Sequence, residues 1–316
     1  MLPWTEKYRP SIPDEIIYHN TIKKCLKNYL GKDNFPNLLF VGKSGIGKTS
    51  TAIAFLKNYY GDYYDENVLM INASEDRGID AVREKVYGFA AVKNISGFNF
   101  KTIILDETDS MTNEAQNILK KIIEKFINSV RFCFICNYIK KINNSILSRC
   151  IVLKFNPIPY DFMKHIIIDI CNKEDLMITA KALDLTIEYS DGDLRKMINI
   201  LQSLKMIKQN CDVDNIIRIK NISKLLLTIT KYNIDKMFKF IKNNPLNNSI
   251  NYVKSFILRN DISLSEIVIK MYNYIIDSNI ENKDKLICKL AIINENLCYV
   301  SRETIQIYSF VSIFYN

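Results

Sequence analysis

The eight residues Gly42-Lys43-Ser44-Gly45-Ile46-Gly47-Lys48-Thr49 fit the pattern G-x-x-x-x-G-K-[ST], which demands a particular fold around it. The flanks meet that demand. Asn37-Leu38-Leu39-Phe40-Val41 reads as a buried strand entering the loop, and Thr51 to Lys57 reads as a helix leaving it. A strand, a glycine turn and a helix N-terminus gather several backbone N–H groups around one anion, and the helix dipole adds partial positive charge. A glycine turn matched by chance would lack both neighbours. The pattern therefore predicts triphosphate binding by Gly42, Lys43, Ser44, Gly45, Ile46, Gly47, Lys48, Thr49 and Ser50. In it Lys48 reaches the β and γ phosphates and the Thr49 hydroxyl holds Mg²⁺.

A second motif fits the first. Lys101 to Leu105 is an apolar strand that delivers Asp106-Glu107-Thr108-Asp109 to its C-terminal end, where ligands bind in a parallel sheet. Asp106 is the expected metal carboxylate and Glu107 the expected group that polarises the attacking water. Two adjacent carboxylates in a solvated turn would look similar, but not at this distance from a phosphate loop.

Further apolar runs at Val68 to Ile71, Arg131 to Cys136 and Ile151 to Phe155 read as strands, with amphipathic helices between them, which describes a parallel α/β sheet. One such helix carries Ile79, Val82, Val86 and Phe89 on one face, and another carries Ala115, Ile118, Leu119, Ile122, Ile123 and Phe126. Met1 to Asp14 holds three prolines and is expected to be an extended arm, followed by a helix from about Thr21 to Leu30. Asn156-Pro157-Ile158-Pro159 ends the alternation. Beyond it only helical periodicity is found, with Gly192-Asp193-Leu194-Arg195 opening a helix and polar breaks such as Asn243-Asn244-Pro245 separating later ones. Three domains are expected: an α/β nucleotide-binding domain over 1–156, a helical lid over 157–212 and an all-helical region over 213–316.

The chain has 316 residues, 48% of them hydrophobic, which is ample for several cores and argues against disorder. Its 43 basic and 34 acidic side chains leave a formal charge of +9, suited to a polyanionic partner. Eight scattered cysteines with no secretory leader point to a reducing compartment. Cys133 and Cys136 form a lone C-x-x-C whose odd spacing in a strand sends the thiols to opposite faces, so buried apolar thiols are expected rather than zinc ligands. No apolar run approaches the roughly 20 residues needed to span a bilayer, so no membrane role is expected.

Taken together, the order and wording of these motifs resemble the AAA+ ATPases, and in particular the small subunits of replication factor C, the sliding-clamp loader. The resemblance rests on Pro3-Trp4-Thr5-Glu6-Lys7-Tyr8-Arg9-Pro10, Asn72-Ala73-Ser74, Arg77-Gly78-Ile79-Asp80, Ala115-Gln116-Asn117 and Cys136-Asn137-Tyr138. It also rests on Ser148-Arg149-Cys150 and Gly192-Asp193-Leu194-Arg195-Lys196. These stretches cover roughly the first 205 residues; the last third matches in length and helical character. The resemblance implies that Tyr8, Arg9 and Pro10 border the adenine. It makes Asn137 and Arg195 the two sensors of the γ-phosphate, and Arg149 a finger acting on ATP held by a neighbouring subunit. It implies that Arg77 and Arg83 track the DNA backbone, and that the C-terminal helices form a collar joining the subunits. A surface loop would account for Arg149 equally well, and a solvated helix face for Arg83. The family pattern is departed from at Thr108, at Glu75-Asp76, at Tyr18-His19-Asn20 and at Lys120-Lys121.

The implied function is that of an ATPase subunit, active only when assembled, that opens a sliding clamp and places it on primer-template DNA. ATP and Mg²⁺ would be its cofactors; large and small loader subunits, the clamp and DNA would be its partners. An intracellular place at replication sites follows, in a nucleus or a viral factory. The alternatives are an ATP-binding scaffold subunit with little hydrolysis, and another AAA+ DNA-remodelling ATPase.

Overall fold

The computed structural model describes the chain apart from residues 1, 11, 13–17, 75–78, 93–96, 212–215, 219–220, 223–224, 226–228, 279–281, 300–302 and 316. The side chains of 79–83, 207–211, 216 and 303 are likewise outside the description. The chain divides into two compact units, residues 1–215 and 216–316, so the sheet and the helices expected over 157–212 share one unit.

In the first unit the order is α1 (Trp4–Lys7), α2 (Asn20–Lys27), β1 (Leu38–Val41), α3 (Lys48–Tyr60), α4 (Tyr64–Asn67), β2 (Val68–Asn72), α5 (Ile79–Ala91) and β3 (Lys101–Asp106). There follow α6 (Asn113–Lys125), β4 (Val130–Cys136), α7 (Asn144–Leu147) and β5 (Ile151–Lys154), then the helices α8 (Tyr160–Lys173), α9 (Ala180–Ser190) and α10 (Leu194–Cys211). The five strands form one sheet in the order β2-β3-β4-β1-β5, every neighbouring pair parallel. In register, Val41 lies opposite Cys136 and Asn72 opposite Asp106, so the strand ends that carry the motifs converge on one edge.

Both faces of the sheet are covered, which is why its strands read as apolar runs rather than alternating ones. Leu39, Val41, Ile103, Leu105, Phe132, Phe134 and Cys136 face one core together with Val86, Leu119, Ile122 and Ile123 from α5 and α6. Leu38, Phe40, Ile104, Cys133 and Ile135 face the other, against Leu26 of α2 and Ala52, Phe55 and Leu56 of α3. Cys133 and Cys136 are buried on opposite faces, and burial pushes both thiols up, Cys136 to about 12. Phe35 makes edge-to-face contacts with Phe55, Tyr59 and Phe100 at centroid distances of 5.3, 5.0 and 5.0 Å, closing the second core.

The extended arm is corrected at Trp4–Lys7, which is a short helix. Pro3 does not break it because proline lies outside the first turn, where its fixed φ of −56° suits an N-cap and its carbonyl accepts from Glu6 and Lys7 N–H at 3.0 Å. The helix earns its place by burying Trp4 to 1% exposure against α10.

The second unit contains five long helices among the described residues: α11 (Lys231–Asn243), α12 (Leu246–Asn260), α13 (Leu264–Asp277), α14 (Lys283–Tyr299) and α15 (Glu303–Ser312). Thr230 and Ser263 cap α11 and α13, accepting from Asn233 and Glu266 N–H at 3.3 Å. Met237, Ile241, Val253, Leu264, Ile267, Met271, Ile275 and Phe310 make its core.

Candidate nucleotide site

At the C-terminal edge of the sheet the backbone turns out of β1 through Gly45 and Gly47, with φ of +69° and +90°, into the N-terminus of α3. Positive φ at both lets the loop curl so that its N–H groups face inward. Lys48 opens α3, and its buried ammonium donates to the carbonyls of Gly42 (2.7 Å) and Lys43 (2.6 Å) and to Asn137 Oδ1 (2.9 Å). Burial lowers the pKa of this ammonium, while Asp106 and Asp109 pull the other way. An anion entering the loop would add a partner to a cation already stripped of water.

Thr49 Oγ1 donates to Asp106 Oδ2 at 2.7 Å, joining the phosphate loop to the end of β3. Asp106 Oδ1 accepts from Glu107 N–H at 2.8 Å, and Glu107 takes a left-handed φ of 51°, turning the chain out of the strand. Asn137 follows the last residue of β4, and the strand order places β4 between the strands carrying the two motifs. Asp109 Oδ2 accepts from the N–H groups of Asn137 (3.3 Å) and Tyr138 (3.1 Å), fixing the turn that presents the Asn137 amide.

Lys48, Thr49, Asp106, Glu107 and Asn137 line a cavity of about 150 Å³ together with Tyr8, Arg9, Pro10, Ser44, Gly45, Gly47, Ser50 and Arg195. An adjoining cavity of about 420 Å³ is shared by Tyr8, Arg9, Pro10, Ile46 and Gly47, with apolar walls from Ile158, Ile166 and Ile170. A pocket lined by the phosphate loop and its carboxylates thus opens beside a larger one that has apolar walls together with Lys7, His19, Asp169 and Lys173, giving room for the phosphate and base ends of a nucleotide. Gly42 and Lys43 lie behind the cavity: their carbonyls hold Lys48, and the Lys43 ammonium reaches Asp191 at 3.3 Å.

The helical segment closes over the loop. Leu194 N–H donates to Gly45 O at 2.9 Å, and Asp193 caps α10 by accepting from Lys196 N–H at 3.0 Å. Arg195 therefore sits in the first turn of α10, exposed and lining the cavity. Arg149 is elsewhere. It borders a groove with Asn34, Asn37 and Arg131, pairs with Glu124 of α6 at 2.7 Å and donates to Ser145 O at 2.7 Å. Arg77 lies outside the described residues, and so does the side chain of Arg83, which belongs to α5.

Two participants were not singled out from sequence. Asp109 was legible only as the last letter of Asp-Glu-Thr-Asp, because its partners come from another strand. Glu174 gave no signal at all: it lies in a polar run, Asn172 to Asp175, yet its side chain is 4% exposed and accepts from Lys7, Tyr8 and Lys205 at 2.5 Å each.

Residues 38–157 match the model of the ATPase family associated with various cellular activities (AAA), and residues 229–312 match the replication factor C C-terminal domain. The chain is 36% identical to the probable replication factor C subunit 5 of Dictyostelium discoideum, over 99% of this chain and 90% of the relative. It is 36% identical to the replication factor C small subunit of Archaeoglobus fulgidus, over 98% and 96% of the two chains. With replication factor C subunit 3 of Saccharomyces cerevisiae it shares 42% identity over 68% of this chain and 63% of the relative. Among solved structures, the RuvB Holliday junction branch migration motor of Thermotoga maritima superposes with a TM-score of 0.58 at 17% identity, covering 85% of this chain and 91% of that one. That likeness establishes the fold alone. By its match to full-length relatives and to both family models, the chain belongs to the replication factor C small subunits, within the AAA ATPases.

Proposed function

We propose that this chain hydrolyses ATP as one subunit of a clamp-loading ring, in which nucleotide binding closes related subunits around an open sliding clamp at a primer-template junction and hydrolysis releases it. The observation that carries the reading is the bonded set Lys48, Asn137, Thr49 and Asp106, at 2.7 to 2.9 Å, on one edge of a parallel sheet beneath Arg195.

In this reading Lys48 and Arg195 neutralise charge on the phosphoryl oxygens, Asn137 orients the γ-phosphate and the attacking water, and Glu107 polarises that water. Tyr8, Arg9 and Pro10 border the base. A hydroxyl and a carboxylate oxygen are the hard donors Mg²⁺ prefers, so Thr49 and Asp106 would hold that ion, which would supply positive charge against that of the phosphoryl oxygens. Arg149 faces away from this chain's own cavity and acts on the nucleotide of an adjoining subunit, so the isolated chain turns over poorly. Arg77 and Arg83 contact the DNA backbone, giving an affinity that falls steeply with salt. The 216–316 unit joins neighbouring subunits, the family's collar. Work at replication sites, nuclear or in a viral factory, follows from this role; among the described residues no helix is long and apolar enough to cross a membrane.

The test is ATP turnover by the reconstituted complex, with clamp and primed DNA, carrying Glu107→Gln in this chain. Turnover at this site should fall at least about 100-fold while ATP binding persists. Unchanged turnover would refute the assignment and favour an ATP-binding scaffold.

A further inference from the structure

The segment bordering the base does not hang from the sheet. Trp4 N–H donates to Gln202 Oε1 of α10 at 3.0 Å, and the Lys205 ammonium, also on α10, stands 5.5 Å from the Trp4 ring centroid. Glu174, the residue that ends α8, accepts from the Lys7 ammonium, the Tyr8 hydroxyl and the Lys205 ammonium. Its carboxylate thus joins three separate stretches of chain: the arm, the end of α8 and the middle of α10. Burial opposes the charge on Glu174, and the three donors more than offset it, holding the carboxyl down at about 2. Tyr8 links the two, because its hydroxyl is fixed by Glu174 while the residue lines both cavities.

We infer that Glu174 is a positioning residue for nucleotide binding: it fastens the base-bordering arm to the helical lid, so that the base contacts and Arg195 belong to one body. This rests on the cavity being a nucleotide site. A carboxylate is needed for the task. Two ammonium groups and a phenol converge on one point, and a neutral amide in its place would leave two like charges facing each other and offer one oxygen to three donors. The phosphate loop does not depend on this junction, since Lys48 is held by the loop's own carbonyls and by Asn137, and the lid reaches the loop separately through Leu194 N–H on Gly45 O.

That separation supplies the test. Binding of Mg-ATP and of Mg-tripolyphosphate, which has no base, is measured by calorimetry on the full chain for wild type, Glu174→Gln, Tyr8→Phe and the double variant. ATP affinity should fall about tenfold in each single variant and no further in the double, while tripolyphosphate affinity stays within about twofold. Tyr8→Phe removes one oxygen at the arm's own surface, so it keeps the test open should Glu174→Gln fold poorly. Equal losses for both ligands would make Glu174 a purely structural residue and overturn the inference, as would unchanged ATP binding or additive losses in the double variant. A wild-type chain that binds neither ligand would instead overturn the nucleotide-site reading beneath it.

Discussion

Gly45 is where the lid meets the phosphate loop, and a single methyl group there should separate them. At Gly45 the backbone has φ of +69°, which costs an L-residue roughly 1 kcal/mol. A Cβ at this position would lie 1.8 Å from Asp193 Oδ1, so the carboxylate must retreat by roughly 1.5 Å to reach ordinary contact. Retreat breaks the cap from Asp193 to Lys196 N–H, worth about 1 kcal/mol, and strains the bond from Leu194 N–H to Gly45 O, worth about the same. Gly45→Ala should therefore cost about 3 kcal/mol. Gly47→Ala is the matched control: φ is +90°, but nothing lies within 4 Å of its Cβ, so only the backbone cost of roughly 1 kcal/mol applies. Trp4 is the only tryptophan and packs on α10, so its fluorescence during urea unfolding reports the lid directly. The two variants should differ by about 2 kcal/mol in the transition that Trp4 follows. Equal losses, within about 0.5 kcal/mol, would show that the lid does not rest on Gly45.

Glu174 sets a pH dependence whose sign follows from its depressed carboxyl. The stabilisation is complete above the ordinary value of 4.5 and is lost as pH falls from there toward about 2. The stability gap between wild type and Glu174→Gln, of order 1–2 kcal/mol after allowing for solvent screening at the lysines, should shrink below pH ~4 in urea titrations. Arg149→Ala should leave this chain's own nucleotide affinity within about twofold, by calorimetry, and lower turnover at the adjoining subunit's site in the assembled complex by about 10³; a loss of affinity in the isolated chain would place the guanidinium in its own site. Tyr60→Phe removes a buried hydroxyl that bonds Thr102 Oγ1 at 2.8 Å and Phe100 O at 3.2 Å, and should cost about 1 kcal/mol of stability without altering nucleotide affinity.

The sheet was readable because its strands are buried on both faces and its glycines and charges sit at fixed offsets from strand ends. Lys48, Thr49, Asp106 and Asn137 each follow an apolar run, and a parallel sheet brings such positions to one edge whatever the strand order. The odd spacing of Cys133 and Cys136 likewise told their opposite faces, since period two is a property of the strand itself. What could not be read depends on tertiary partners. Trp4–Lys7 folds as a helix because Pro3 suits its N-cap and α10 offers a place to bury Trp4. Glu174 looks like part of a solvated turn until Lys7, Tyr8 and Lys205 are brought from 167, 166 and 31 residues away.

The strand that feeds Asn137 has a double duty that sharpens what mutation can do to it. Because β4 is wedged between β1 and β3, its pairing on both sides fixes how far Asn137 projects, and no neighbouring loop can compensate for an error. A one-residue slip would turn every side chain of β4 to the other face and swing the amide off target, taking one of three acceptors from the Lys48 ammonium, yet Lys48 at the start of α3 and Asp106 at the end of β3 would keep their backbone positions. With the role proposed for Asn137, such a protein would bind ATP without responding to it. Insertions and deletions in the 126–129 turn are therefore, on that proposed role, the changes most apt to uncouple occupancy from response.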